Sequence, residues 1–250
     1  MDTWIIILIA ALAAVTIIAA AYIAVIKKRR SGAKKKAGEI GENAVASVLK
    51  KCDSGNALVI NDYMTVEEGQ SRQIDHICIC SNGVFVIETK NFAGTIYGGQ
   101  DEYMWQQYVN GQKHEFYSPL KQNITHMYCV KKLLPSDVPV FQYVVFTNGD
   151  ISHISAENVT DIFSLRQIID GADGGKTLSS QEKEELYAAL EAAAADISDE
   201  EHARQVKKAK ELAENNMCPH CEVKLEKVKS RDGIYYECPE CGFKIGRAHV

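Results

Sequence analysis

The sequence predicts an α/β fold: one mixed central sheet flanked by helices, with a single apolar helix ahead of it, a helical spacer behind it and a small cysteine module at the end. Three observations lead there. Between residues 38 and 150 the elements run helix, three strands, helix, strand, the order of a sheet covered by helices. Two of those strands, "RQIDHICIC" and "GVFVIETKN", are apolar on both faces, which implies cover on both sides. Two Cys-x-x-Cys pairs stand well beyond the last of these elements, in a segment too small to build a core. With 250 residues and 46% hydrophobic content the chain has room for one ordinary domain and smaller appendages. Its formal net charge of -5 excludes a globally basic nucleic-acid binder, although a local basic surface can sit inside an acidic total.

The first element is "WIIILIAALAAVTIIAAAYIAVI", residues 4–26, without a charged residue. At about 1.5 Å per residue a helix of this length reaches roughly 34 Å, enough for about 30 Å of hydrocarbon. "KKRR" at 27–30 and "KKK" at 34–36 follow immediately. A cleaved signal peptide carries its positive charge on the other side of a shorter apolar core. The expectation is therefore an uncleaved anchor over residues 1–30, then a solvated basic tether over 31–37. The positive-inside bias places the N-terminus outside and the rest of the chain in the cytoplasm, at the cell membrane.

The body is expected over residues 38–160. "EIGENAVASVLKK", residues 39–51, repeats apolar residues at helical spacing. "ALVINDYMTV" reads as a first strand, and the two apolar strands form a hairpin across Ser81-Asn82-Gly83, since Asn-Gly suits the positive φ of tight turns. Residues 94–117 suggest further short strands and an edge loop. "PLKQNITHMYCVKKLL" is a helix with proline in its first turn, and "VPVFQYVVFTN" a buried strand. Residues 161–215 turn helical and charged, with Ser-x-x-Glu capping boxes beginning at Ser179 and Ser198, and read as a spacer.

The chemistry gathers in the hairpin. Side chains alternate along a strand, so Glu88 and Lys90 point the same way, and Asp75 on the antiparallel neighbour can lie opposite them. Two carboxylates beside an ammonium suit a hard divalent cation, Mg²⁺ or Mn²⁺, able to activate water against a phosphodiester. That is hydrolytic nuclease chemistry. Lys90 would orient or deprotonate the water, or neutralise transition-state charge, and the sequence does not choose. The plainer reading is a cross-strand ion pair of Glu88 and Lys90 on a solvated face. His76 and His126 read as packing or surface residues.

An aspartate on one strand and Glu-x-Lys on the next resemble the PD-(D/E)xK nuclease superfamily, with Ile74-Asp75 in place of its usual Pro-Asp. With "GEIGE" on the preceding helix and "PLKQN" on the following one, the pattern over residues 38–150 is similar to the nuclease-related domain (NERD) family. The resemblance implies a restriction-endonuclease-like sheet. It also implies Asp75 and Glu88 as metal ligands, Lys90 as catalytic lysine, Glu42 as an additional acidic site residue, and Gln122 as a supporting polar residue.

The last module, residues 216–250, holds Cys218, Cys221, Cys238 and Cys241 as two knuckles. Four thiolates close a tetrahedral shell around Zn²⁺, and the intervening two short strand-like runs with an Asp-Gly turn are those of a zinc ribbon. The cytoplasmic placement argues against disulfides. The module resembles the zinc ribbons at topoisomerase C-termini. Lys224, Lys227, Lys229, Arg231 and Lys244 with Tyr235 and Tyr236 suit phosphates and bases, while docking to a protein partner is the other use of such a ribbon. The final "IGRAHV" matches a translated sequencing-adapter frame, so the expectation is that the reading frame is artificially cut there. The function expected from the whole is a membrane-anchored, divalent-metal-dependent nuclease hydrolysing nucleic acid, DNA ahead of RNA. The alternative is a non-catalytic, membrane-tethered nucleic-acid-binding or scaffold protein.

Overall fold

A computed structural model describes residues 3–67, 69–218, 221–230, 233–242 and 244–246. The chain divides into two units, Met1–Gly41 and Glu42–Val250. Helix α1 runs Thr3–Leu49. It is helical through residues 31–37, where the sequence suggested a tether. Lysine and alanine are good helix formers, and their preference carries the helix across Gly32 and Gly38. Among the described residues no helix is long and apolar enough to cross a membrane. The predicted span at 4–26 falls largely on residues whose side chains lie outside the described set.

In the second unit a seven-stranded mixed sheet carries the fold. Its strands are β1 (Leu58–Glu67), β2 (Gln70–Cys80), β3 (Gly83–Gly99), β4 (Met104–Val109), β5 (Gln112–Tyr117), β6 (Val140–Ser155) and β7 (Val159–Asp161). β1 to β5 are antiparallel neighbours in chain order, whereas β6 runs parallel to β3 and β7. β3 continues unbroken where two separate runs were expected, and β6 extends past Asn148. Ser81 and Asn82 form the two-residue loop between the paired Cys80 and Gly83. The positive φ belongs to Gly83, at 143°, where a Cβ would come within 2.9 Å of the Pro139 carbonyl. Asn82 instead donates its amide to the carbonyls of Ile169, at 2.6 Å, and Ala172, at 3.0 Å.

Alternation along β3 sorts the two faces. Val84 and Val86 point with Ile77 and Ile79 towards α2 (Pro119–Leu133) and α4 (Ser180–Ala193), meeting Val130, Leu186 and Leu190. Phe85 and Ile87 point the other way, to Val45 and Leu49 at the end of α1 and to Leu165 and Ile169 of α3 (Ile162–Asp170). Thus α3 and α4, which the sequence placed in a spacer, belong to the body. Their charge hides short apolar stripes at i, i+4, and each buried leucine contributes about 1.5–3 kcal/mol. The capping box at Ser179 forms with Glu182 as the motif predicts.

Helix α5 (Asp199–Glu214) is more exposed but is pinned to β2: His202 Nδ1 lies 2.7 Å from Ser71 Oγ, and Ser71 N–H donates to Gln205. A second, three-stranded sheet of β8 (Glu226–Ser230), β9 (Gly233–Glu237) and β10 (Lys244–Gly246) closes the description. Arg231, the side chains of Tyr235 and Lys244, and the final four residues of "IGRAHV" lie outside the described set.

Candidate functional site

The β2/β3 ladder ends at the pair His76/Ile87, so Asp75 and Glu88 stand at its open end. Register then decides orientation. Glu88 follows the face of Val84 and Val86 and so turns to the α2 side, whereas on β2 both Ile74 and Ile77 pack in that same cluster, so strict alternation breaks across Asp75, which is left out of the β1/β2 pairing together with Asp62. The Asp75 carboxylate accepts the Thr89 backbone N–H at 2.7 Å, taking over where the ladder stops. Lys90 Nζ donates to Glu88 Oε1, and β3 shifts register against β6 immediately after Lys90. Such irregularities often re-aim side chains beside functional sites.

Glu88 is buried at 1% exposure, and its Oε2 has no hydrogen-bond partner among the described residues. Burial raises its pKa to about 7; Lys90 opposes this, while the carboxylates of Asp75 and Glu42 add to it. Asp75 is also raised, by burial against the pull of the Thr89 N–H and Lys90. For Lys90 burial works against the charge, but Glu88, Asp75 and Glu42 outweigh it and lift the pKa above its ordinary value. These mutual influences place Asp75, Glu88, Lys90 and Glu42 in one electrostatic neighbourhood. A solvated surface ion pair does not describe a glutamate this deeply buried.

Gln122 is half-buried on the first turn of α2 and makes no side-chain hydrogen bond among the described residues. The polar residue that ties α2 to the sheet is its neighbour Asn123, fully buried, donating to Val86 O at 3.0 Å, Tyr143 O at 2.9 Å and Gln142 Oε1 at 3.1 Å. One turn on, His126 is buried with Nδ1 3.5 Å from Glu88 Oε2. Its pKa falls to about 4 through burial, with Arg72 and Lys90 adding to the effect. Asp62, on β1 at φ 52°, is near enough to Asp75 to raise it. Sequence reading passed over Asn123 and Asp62 and took His126 for a packing or surface residue. The signals were there: Asn123 and His126 share a face at i, i+3, and Asn61-Asp62 interrupts an apolar strand.

The donor set suits a hard cation: carboxylate oxygens, one of them a buried orphan that a cation would satisfy. The second candidate centre lies in the last module. Among the described residues, Cys218, Cys221, Cys238 and Cys241 are the one group of three or more Cys, His, Asp or Glu within reach of a single ion, all ligand atoms within 4.8 Å of one another. The sulfurs of Cys218 and Cys241 are 3.6 Å apart. Zinc–sulfur bonds of about 2.3 Å in a tetrahedron separate sulfurs by about 3.8 Å, so the cluster could hold such an ion. Cys218 and Cys238 pack with Leu225 in a core of their own. Cys52, Cys78, Cys80 and Cys129 are buried free thiols in the body.

An uncharacterized protein of Bacillus anthracis is 35% identical over 113 residues, which are 45% of this chain and 53% of the relative. The chain thus spans about half the length of the curated relative it matches. No solved structure matches the chain. Residues 37–147 match the family of the nuclease-related domain, NERD, which points to a nuclease-related function for the body built around β2 and β3.

Proposed function

We propose that the body is a divalent-metal-dependent nuclease that hydrolyses phosphodiester bonds, with DNA ahead of RNA as substrate. The observation that supports it most is the meeting of Asp75, Glu88 and Lys90 at the open end of the β2/β3 ladder, with a buried Glu88 oxygen left without a hydrogen-bond partner among the described residues. Asp75 and Glu88 would hold Mg²⁺ or Mn²⁺, with Glu42 adding negative potential. A cation there supplies Lewis acidity towards a phosphate oxygen and lowers the pKa of water. Lys90 stays protonated at neutral pH, because the surrounding carboxylates raise it. Its role is therefore to offset negative charge gathering on the phosphate rather than to take a proton. Gln122, on the first turn of α2, would be the supporting polar residue.

The same reading makes the four-cysteine module a zinc ribbon, with Lys224, Lys227 and Lys229 offering phosphate contacts or a surface for a protein partner. It makes residues 4–26 the membrane anchor, with the body on the cytoplasmic side of the cell membrane. The test is direct. Full-length protein in detergent, with plasmid and single-stranded DNA and RNA, should cleave only when Mg²⁺ or Mn²⁺ is added, and Glu88→Ala and Lys90→Ala should lose at least about 100-fold in rate. Binding without metal-dependent cleavage in any of the three proteins favours the tethered binding module instead.

A further inference from the structure

His126 and Glu88 face each other as two unfinished hydrogen-bonding groups. Nδ1 lies 3.5 Å from Oε2, the side chains are 5% and 2% exposed, and neither atom has a hydrogen-bond partner among the described residues. The other carboxylate oxygen, Oε1, is taken by Lys90. A buried polar atom left without a partner costs about 1–3 kcal/mol, and here a closure of about half an ångström lets Nδ1–H reach one lone pair of Oε2 while the other lone pair of that oxygen stays open to a cation. An imidazole can carry a proton on Nδ1 whether neutral or charged, and a carboxylate oxygen accepts it. The approach is held from behind: Asn123, on the same face of α2 at i−3, bonds the carbonyls of Val86 and Tyr143 and so fixes the helix against the strand that carries Glu88.

We propose that His126 is a positioning residue: it donates Nδ1–H to Glu88 Oε2 and holds that carboxylate in one orientation for metal binding. The assignment rests on the reading of Glu88 as a ligand. Groups that orient a metal's ligands typically change affinity about 10–100-fold when removed.

Mn²⁺ titration of the full-length protein by calorimetry tests it, taking as the site the binding that Glu88→Ala abolishes. An asparagine amide places its nitrogen where Nδ1 stands, whereas a glutamine amide reaches to the position of Nε2. His126→Phe and His126→Gln should therefore weaken Mn²⁺ at least about 10-fold, and His126→Asn should stay within about threefold of the natural chain. A merely space-filling role would lower the unfolding midpoints of these variants without ordering their affinities by where the donor sits. Equal Mn²⁺ affinity in all folded variants overturns the positioning role and leaves Glu88 as a ligand. Absence of any Glu88-dependent Mn²⁺ binding in the natural chain overturns the ligand reading and the role of His126 together.

Discussion

Removing the charge at position 88 should flatten the pH dependence of stability. In the absence of added Mg²⁺ or Mn²⁺, burial and the neighbouring carboxylates raise Glu88 from 4.5 to about 7. The folded state therefore holds a proton there that the unfolded chain has already released between those values. Stability from this group is fully present below pH 4.5 and is lost as pH rises through 7. The gap corresponds to about 3 kcal/mol, with no discount for solvent because Glu88 is 1% exposed. Glu88→Gln cannot titrate. Its stability relative to the natural chain should thus improve by about 3 kcal/mol between pH 4.5 and pH 8. Comparing the two pH values cancels the lost contact to Lys90, which stays charged throughout. Urea denaturation followed by tryptophan fluorescence reads it, since Trp105 is buried in the same sheet. Adding Mn²⁺ at 100 times its dissociation constant should then stabilise the natural chain by about 2.7 kcal/mol and the variant far less. A pH dependence that is the same in both proteins would refute a buried, charge-averse Glu88.

Three further outcomes follow from other contacts. Asn123→Ala leaves the carbonyls of Val86 and Tyr143 without their donor and should cost about 3 kcal/mol by the same denaturation measurement. Leu190→Ala should cost about 2–5 kcal/mol, because α4 packs into the body, whereas Val206→Ala on the exposed side of α5 should cost less than about 0.5 kcal/mol. Cys238→Ser should reduce zinc content, read by atomic absorption, and expose β8–β10 to proteolysis while leaving the unfolding of the body unchanged, since the module has its own small core.

Amino-acid order alone was enough for the hairpin with its acids, the helix begun by Pro119, the mixed sheet and the pairing of cysteine knuckles, because these depend on alternation, turn chemistry and spacing within a few residues. Helices α3 and α4 were misread as spacer for a physical reason: a short stripe such as Leu186 and Leu190 on a charged helix becomes core only when a sheet face is there to receive it. The same holds for Asn123 and His126, which look like ordinary polar residues until register brings Val86, Tyr143 and Glu88 opposite them. Local periodicity determines which face a residue shares. Which partner waits across that face, and so whether a buried carboxylate stays charged and aimed, was decided only when strands and helices far apart in the chain closed on one another.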